Sequence, residues 1–186
     1  MIKITGGELK NRKLETISNF VRPTSSLKRE AFFSIIESYA LKNSLNLIKN
    51  KIFLDLFAGI GTMGLEAISR GFKKALFFEN NKEVIKILKK NCDNLCRNYQ
   101  YKIIDQDILN SNLDLNFNDI SVIYIDPPYL KYEIEKILLS IQDKVSKESI
   151  IAIETRMNDN FIIPKKMKSI ISKKYGKTKI SFLVLS

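Results

Sequence analysis

The chain has 186 residues, of which 45% are hydrophobic and 27% charged, and this balance predicts a globular domain with its own core. It excludes disordered and fibrous proteins, and no apolar run reaches the roughly 20 residues that cross a bilayer. The net charge of +11 favours a polyanionic partner such as nucleic acid, although general drift toward lysine would also raise it. Because the amino terminus lacks a signal-peptide pattern, we expect a cytoplasmic protein without membrane contact. We also expect a monomer.

Metal-binding residue types are scarce in this sequence. Histidine is absent, and the two cysteines, Cys92 and Cys96, are spaced i and i+4 in a predicted helix. A structural zinc site takes four such ligands. In the cytosol, two cysteines are expected to be small, reduced, buried hydrophobic residues. The sequence therefore predicts neither a metal site nor a disulfide.

The first segment, MIKITGGELKNRKLET, predicts a basic β-hairpin. Gly6 and Gly7 stand between two short runs, as expected for a turn between strands. The hairpin is rich in lysine and arginine and is expected to be exposed. With the helix that follows, it forms a predicted RNA-contacting extension over residues 1–40, ahead of a main domain over residues 41–186.

A helix is predicted in the segment VRPTSSLKREAFFSIIESY. Thr24 or Ser25 can cap it, because their hydroxyl groups accept hydrogen bonds from free backbone N–H groups at a helix start. One face carries an apolar stripe at helical spacing, made of Leu27, Ala31, Phe32, Ile35, Ile36 and Tyr39. Lys28 and Arg29 fall off that stripe, and a solvated face is the plainest explanation for such a pair.

From Lys51 onward, short apolar runs alternate with helical segments. The predicted strands are KIFLDLF, KALFFE, YKIID, SVIYID and SIIAIE, and the predicted helices are GTMGLEAISR, KEVIKILKKNCDNLC and residues 133–144. This alternation is typical of a parallel sheet with helices on both faces. The tail SIISKKYGKTKISFLVL contains two β-rich runs joined at Gly176 and Lys177. The prediction is therefore an α/β, Rossmann-like, seven-stranded, mostly parallel sheet that ends in an antiparallel hairpin.

The first strand-to-helix turn, DLFAGIGTMG, carries three glycines in the spacing G-x-G-x-x-G. Gly59, Gly61 and Gly64 would let the chain turn sharply and let a ligand approach the backbone at a helix start. Glu79 ends the next predicted strand, where a carboxylate can accept hydrogen bonds from ribose hydroxyls. Together, the glycine turn and Glu79 predict a site for a nucleoside-containing ligand rather than a purely structural turn. It does not choose among NAD, FAD and S-adenosylmethionine.

The size of the chain favours S-adenosylmethionine. A dinucleotide needs a second binding half, and a chain of 186 residues with an amino-terminal extension leaves little room for it. Asp107, after the third predicted strand, is placed where a carboxylate could accept the exocyclic amine of an adenine. A helix cap or an exposed loop acid is an alternative role for Asp107.

The stretch YIDPPYLKY places a carboxylate directly after a predicted buried strand. The carboxyl end of that strand should meet the glycine turn, so Asp126 would face a methyl donor. Asp126 could position an exocyclic amine, while Pro127 and Pro128 bring no competing N–H and Tyr129 offers a face for stacking a base. The alternative is that the prolines simply end the strand and Tyr129 fills the core.

Taken in order, five motifs resemble a known family. DLFAGIGTMGLEAISRG and DPPY resemble class I S-adenosylmethionine-dependent methyltransferases. Five motifs follow one another in the order seen in RsmD-type enzymes: ITGGELKNRKL, RPTSSLKREAFFSII, AGIGTMGLEAISRG, YIDPPY and YGKT. The resemblance therefore runs nearly end to end. Those enzymes methylate the N2 amine of one guanine in bacterial 16S ribosomal RNA of the small subunit, and the resemblance implies the same activity here.

The resemblance also implies roles for particular residues. It implies an S-adenosylmethionine pocket lined by Asp55, Phe57, Ala58, Gly59, Gly61, Glu79, Asn80, Asp107 and Asp126. The implied catalytic group that holds the guanine consists of Asp126, Pro127, Pro128 and Tyr129. The implied contacts with substrate RNA come from Arg12, Lys13, Arg22, Thr24 and Arg29.

Two departures from the family pattern affect these expectations. Ser26 and Leu27 stand where the family usually carries an acid and an arginine, and Asn80 and Asn81 replace a more usual acidic neighbour. These changes affect the predicted RNA contacts and the predicted binding of adenine. The chemistry at Asp126 does not depend on them.

Three other functions share part of this pattern. The D-P-P-Y tetrapeptide also serves adenine-N6 methyltransferases, although DNA enzymes that choose a sequence usually add a recognition domain for which this chain has no room. The related N-P-P-Y serves glutamine methylation, which would favour asparagine in place of Asp126. A non-catalytic ribosomal RNA-binding assembly factor would bind RNA tightly without turnover.

Overall fold

The chain begins with a small two-stranded sheet and one long helix. The computed structural model describes residues 2–16, 25–97, 100–109, 115, 117–128 and 132–186. In it, β1 (Ile2–Lys3) pairs antiparallel with β2 (Lys13–Leu14), and helix α1 (Ser26–Lys42) follows. Both elements predicted for the extension are confirmed.

Within the described residues, the rest of the chain builds a seven-stranded sheet. Its elements are β3 (Ile52–Asp55), α2 (Thr62–Ser69), β4 (Lys74–Phe78), α3 (Lys82–Leu95), β5 (Tyr101–Ile104), β6 (Ile120–Ile125), α4 (Ile134–Ile141), β7 (Ile150–Arg156), β8 (Met167–Tyr175) and β9 (Thr178–Leu185). The strand order is β5-β4-β3-β6-β7-β9-β8, and all neighbours from β5 to β7 are parallel. Strand β9 runs antiparallel to both β7 and β8. The predicted Rossmann-like sheet with its carboxyl-terminal hairpin is confirmed.

The central strands are buried on both faces of the sheet. Every residue of β6, with the sequence ISVIYI, is buried, as a near-continuous apolar run requires when both faces are covered. Successive residues point to opposite faces. Leu54 and Ile123 therefore join one apolar cluster, and their neighbours Phe53 and Val122 join the other.

Helices α2, α3 and α4 lie where the sequence predicts them. Helix α2 ends before Gly71, whose φ of 102° is the left-handed conformation that glycine tolerates. Asn81 caps α3 by accepting hydrogen bonds from the N–H groups of Glu83 and Val84. Helix α4 is shorter than the predicted range 133–144. Among the helices in the described part of the chain, none is long and apolar enough to cross a membrane.

The buried face of α1 differs from the predicted apolar stripe. Ser25 caps the helix, and Phe32, Phe33 and Ile36 are fully buried against the sheet. Leu27, in contrast, is 70% exposed. It was predicted to face the core, but it stands in the first helical turn at the wall of a cavity, where it meets solvent.

The hairpin is held against α2 by one buried carboxylate. Glu66 is fully buried, and it accepts hydrogen bonds from Thr5 N at 2.9 Å and from Arg70 Nε at 3.0 Å. Arg29 Nε lies 3.4 Å from the same carboxylate, and its guanidinium also donates to the Lys3 carbonyl at 2.6 Å. The predicted contact between Arg29 and RNA is therefore wrong, because this side chain is enclosed between the hairpin and α2.

The amino-terminal extension shares its core with the main domain. Ile4 and Leu14 of the hairpin pack in one cluster with Leu65 and Phe77, which belong to α2 and β4. The buried residues of α1 likewise join a cluster on the sheet. The described residues of this extension thus dock on the sheet through shared apolar clusters, and the functional division at residue 40 stays a prediction.

Candidate active site

The turn between β3 and α2 carries the predicted glycines. Gly59 and Gly61 have φ values of 54° and 89°, in the left-handed region that favours glycine. A Cβ at Gly61 would lie 2.6 Å from Leu88 Cδ1, and a Cβ at Gly64 would lie 2.2 Å from the Phe77 ring. The glycines therefore allow a sharp turn and let α2 pack closely on β4 and α3.

A cavity of about 890 Å³ opens at the carboxyl ends of the parallel strands. It lies at the switch point between β3 and β6, where open α/β sheets bind ligands. The predicted residues that line it are Asp55, Phe57, Ala58, Gly59, Glu79, Asn80, Asp107, Asp126, Pro127 and Pro128. Gly61 is not part of the lining, because it is buried at the start of α2.

Glu79 is fixed at the cavity wall by three backbone donors. Its Oε2 accepts a hydrogen bond from Gly59 N at 3.0 Å, which ties it to the glycine turn. Its Oε1 accepts from Asn80 N at 3.0 Å and from Asn81 N at 2.9 Å. An ionised carboxylate offers about four acceptor positions, so Glu79 retains capacity for a donor inside the cavity.

Asp107 forms a polar network with a residue that the sequence analysis missed. Tyr132 Oη donates to Asp107 Oδ2 at 2.6 Å, and Asn80 Nδ2 donates to the same oxygen at 3.2 Å. The ring of Tyr132 also packs edge-on against Phe57, with centroids 4.8 Å apart. Burial, followed by the contact with Asp107, raises the pKa of Tyr132 to about 12, so it stays a neutral donor. Tyr132 closes the stretch YIDPPYLKY, but nothing in its spacing indicates a contact with Asp107.

Asp55 presents an unsatisfied acceptor beneath the glycine turn. It is 1% exposed, and its Oδ1 has no hydrogen-bond partner among the described residues. Burial is the main cause that raises the pKa of Asp55 to about 7, and the charge of Glu79 adds to the rise. A buried acceptor without a partner is costly, and a cationic or N–H donor would satisfy it. The ammonium of an amino-acid group such as that of S-adenosylmethionine fits this position.

The buried Asp55 carboxyl should make stability depend on pH. Its folded-state pKa lies above the ordinary value of 3.8, so between these two values the folded state binds more protons than the unfolded chain. The contribution of Asp55 to stability therefore falls as pH rises from about 4 to about 7. We expect the stability of Asp55→Asn relative to wild type to rise by up to about 4 kcal/mol over this range. Urea unfolding of both proteins at pH 4.5 and pH 8 measures the difference, and parallel pH dependences would contradict the assignment.

Asp126 directly follows β6. In the sheet, β6 has β3, which ends at Asp55, and β4, which Glu79 follows, on one side and β7 on the other. Burial raises the pKa of Asp126 well above the ordinary value of 3.8, and the charge of Glu154 raises it further, whereas Lys28 opposes the rise. A carboxylate with a raised pKa is a stronger proton acceptor. Asp126 therefore combines a place on the cavity wall with basicity suited to taking up a proton.

The residues after Asp126 are only partly described. Pro127 is buried and Pro128 is exposed, and both line the cavity beside Asp126. Neither proline carries a backbone N–H, so this turn offers acceptors without a competing donor. Tyr129, the residue predicted to stack on a base, lies outside the described residues, and its role stays a prediction.

A second polar cluster, also missed from the sequence, lines the other side of the cavity. Lys28 of α1 donates to Glu154 of β7 and to Thr178 Oγ1 at the start of β9, the latter at 3.0 Å. Tyr124 Oη donates to the second oxygen of Glu154 at 2.9 Å. All four residues line the cavity. The sequence suggests a solvated Lys28, because only the fold brings together residues 126 positions apart.

The residues predicted to contact RNA do not share one environment. Arg12 and Lys13 are exposed on the hairpin and do not line the cavity. Arg22 and Thr24 lie outside the described residues. Arg29 is buried against Glu66. Arg12 and Lys13 are thus the two whose described side chains are open to a large partner.

Comparison with known proteins identifies the family. The family model described as "Conserved hypothetical protein 95" matches residues 2–184. The "Ribosomal RNA small subunit methyltransferase D" of Buchnera aphidicola subsp. Acyrthosiphon pisum is 34% identical over 168 residues, which cover 88% of this chain and 83% of that protein. The protein of the same name from Haemophilus influenzae is 32% identical over 172 residues, with the same two coverages of 88% and 83%.

The architecture agrees with a solved structure of nearly the same length. The structure of yhhF from Escherichia coli superposes with a TM-score of 0.83 at 24% identity, covering 100% of this chain and 98% of that protein. At this identity the likeness shows the fold. The family itself is shown by the match over almost the whole chain and by relatives above 30% identity. The chain therefore belongs to the RsmD-type family of class I S-adenosylmethionine-dependent methyltransferases.

Proposed function

We propose that this protein transfers a methyl group from S-adenosylmethionine to the exocyclic N2 amine of a guanine in the 16S ribosomal RNA of the small subunit. The observation that carries the proposal is the position of Asp126 and Pro127, on the wall of the cavity that the glycine turn and Glu79 also line. The names of two relatives, both ribosomal RNA small subunit methyltransferases, support RNA as the substrate.

Residues at the ends of β3, β4 and β5 would hold the cofactor. Glu79 would accept hydrogen bonds from the ribose hydroxyls, Asp107 from the adenine amine, and Asp55 from the ammonium group. Phe57 and Tyr132 supply aromatic surface on the same wall. When bound, S-adenosylmethionine supplies an electrophilic methyl group on its sulfonium sulfur.

Replacing Glu79 with glutamine should weaken binding of S-adenosylmethionine by about tenfold or more, since hydrogen bonds to a charged acceptor contribute about 1.5–3 kcal/mol. The amide keeps one acceptor oxygen for the backbone donors but loses the second. Calorimetric titration of the protein with S-adenosylmethionine measures the affinity. Glu83→Gln, which changes an exposed carboxylate in the first turn of α3, is the matched control. Equal affinity of Glu79→Gln and wild type would refute the ribose assignment.

Asp126 would make a poor nucleophile reactive. The lone pair of an exocyclic purine amine is delocalised into the ring, so the site must draw the nitrogen toward tetrahedral geometry. The Asp126 carboxylate and a backbone carbonyl of the proline turn can each accept one N–H of the amine. The amine then exchanges one proton for the methyl group, and Asp126, whose pKa is raised by burial, accepts that proton.

The cysteines take no part in this scheme. Cys92 is buried in α3 and Cys96 ends that helix, and neither lines the cavity. Burial raises the pKa of Cys96 to about 11, and that of Cys92 still further, so both thiols stay protonated at neutral pH. We therefore propose direct transfer without a covalent enzyme intermediate.

The amino-terminal extension would contact the RNA around the target. The exposed Arg12 and Lys13 can contact phosphates, which supply affinity without reading sequence. Arg22 and Thr24, which stand between this hairpin and α1 in the sequence, are proposed to contact RNA as well. The target base must leave its stack, or already lie in a loop, to reach the cavity.

The experiment that tests this function starts from small subunits, or bare 16S RNA, of cells that lack the activity. Either substrate is incubated with the purified protein and isotope-labelled S-adenosylmethionine, and the labelled nucleosides are identified by mass spectrometry. Labelled N2-methylguanosine is the expected result. Labelled N6-methyladenine would still show a methyltransferase but would identify adenine, not guanine, as the substrate base. Salt-sensitive RNA binding without any label would favour an assembly factor.

A further inference from the structure

Lys28 is held at a fixed place on the cavity wall. It is the third residue of α1, and its ammonium donates to Glu154 and, at 3.0 Å, to Thr178 Oγ1. The side chain is 17% exposed, and that of Glu154 is 4% exposed. An ion pair with so little solvent contact is weakly screened. Lys28 is therefore an ordered cation inside the cavity rather than a solvated surface lysine.

The partner of Lys28 is itself anchored. Tyr124, which is 2% exposed, donates its hydroxyl to the second carboxylate oxygen of Glu154 at 2.9 Å. Each oxygen of Glu154 thus has a defined donor, one from α1 and one from β6. The order of the strands and the position of α1 consequently fix the direction in which the ammonium can point.

Lys28 lies on the substrate side of Asp126, away from the residues that would hold the cofactor. The sheet order places β5, β4 and β3 on one side of β6, and β7 and β9 on the other. Glu79 and Asp107 belong to the first group, whereas Glu154 and Thr178 belong to the second. Asp126 stands between them at the end of β6. A base whose amine is held at Asp126 would therefore extend toward Lys28.

We propose that Lys28 determines the specificity for guanine, by donating a hydrogen bond to the O6 carbonyl of the base whose N2 amine is held at Asp126. This inference rests on the proposed function. An ammonium group has three N–H donors, and Glu154 and Thr178 account for two of them within the described residues. In guanine the N2 amine and the O6 carbonyl flank the same ring edge, so both can face one wall.

The same contact would reject adenine. Methylation of adenine at N6 requires its C6 amine at Asp126, and in that orientation adenine presents C2–H, which accepts no hydrogen bond, where guanine presents O6. A buried donor left unpaired discriminates strongly between otherwise similar substrates. Lys28 thereby separates a guanine-N2 site from the adenine-N6 sites that share the D-P-P-Y tetrapeptide.

The test compares two bases at the target position of 16S RNA. A synthetic RNA segment that carries either guanine or 2-aminopurine at the mapped target is ligated into the RNA. The base 2-aminopurine keeps the N2 amine but lacks O6. For wild type we expect kcat/KM for guanine to exceed that for 2-aminopurine by about tenfold or more. For Lys28→Met the preference should fall about tenfold, through loss of activity on guanine.

Three further variants separate recognition from folding. Lys42→Met removes a lysine from the exposed end of the same helix and should keep the wild-type preference. Lys28→Arg keeps a donor and should restore most of it. Lys28→Met with Glu154→Gln removes both charges, which avoids an unpaired buried carboxylate, and should also lose the preference.

The outcomes distinguish this inference from the proposed function. An unchanged preference for guanine in Lys28→Met, or in the double variant, would overturn the role of Lys28 while leaving the methyltransferase assignment intact. Failure of wild type to form N2-methylguanosine would overturn the proposed function, and that result is read before any variant is made.

Discussion

Replacing Asp126 with alanine is expected to lower the rate of methyl transfer by about 1,000-fold or more, while the affinity for S-adenosylmethionine stays within a few-fold of wild type. The carboxylate both orients the amine and accepts its proton, so its loss removes two contributions at once. The contacts proposed for the ribose, adenine and ammonium groups come from other residues. Single-turnover rates with labelled cofactor, together with calorimetric affinities, measure the two quantities separately.

Two comparisons make this result specific to the site. Asp119→Ala removes an exposed carboxylate next to the opposite end of β6 and should leave the rate unchanged. Asp126→Asn keeps the size of the side chain but cannot take up the proton, so it should remain nearly inactive. Comparable turnover by Asp126→Ala and wild type would refute the role of Asp126.

The raised pKa of Asp126 also fixes the direction of the pH dependence. Only the ionised carboxylate can take up the proton that the amine releases, and burial raises the pKa of Asp126 well above the ordinary value of 3.8. The wild-type rate should therefore rise with pH as Asp126 loses its proton. Lys28 opposes the raised pKa, so in Lys28→Met this rise should move to higher pH.

The fold could be predicted because its strands and helices follow simple periodic patterns. Strand β6 is a near-continuous apolar run, and the glycine-rich turn before α2 marks the first strand-to-helix crossing. These local patterns predict a parallel sheet, and the rules of chain connection then place the carboxyl ends at one edge. The predicted buried face of α1 was only partly right. Periodicity alone favours Leu27 for the core and cannot show that Arg29 has a buried carboxylate to pair with.

The candidate site also has one part that the sequence predicts and one part that it does not. Glu79, Asp107 and Asp126 follow the ends of successive parallel strands, so the alternation of elements was enough to place them at one cavity. Lys28 and Glu154 belong to elements far apart in the chain, and no local pattern predicts their contact. The side of the cavity proposed to hold the substrate could therefore be found only from the structure, because α1, β7 and β9 form it through long-range packing.

Replacing Glu66 with alanine is expected to lower the free energy of unfolding by about 3–5 kcal/mol, the usual cost of leaving one member of a buried ion pair without its partner. Glu66 is fully buried and is the acceptor for Thr5, Arg29 and Arg70. Its loss would remove the carboxylate that the enclosed Arg29 guanidinium contacts. Urea unfolding measures the change, and a midpoint equal to that of wild type would contradict the prediction.

The double variant Arg29→Met with Glu66→Leu tests the physical cause. If the cost comes from an unpaired buried charge, removing both charges should recover much of the stability, because apolar replacements of a buried pair are often tolerated. The hairpin would still lose the acceptor for Thr5 N, so it should become more sensitive to proteases than in wild type. Partial recovery of stability with a loosened hairpin is therefore expected. Such a protein should still bind S-adenosylmethionine but bind RNA more weakly, since Arg12 and Lys13 would no longer be held against the domain.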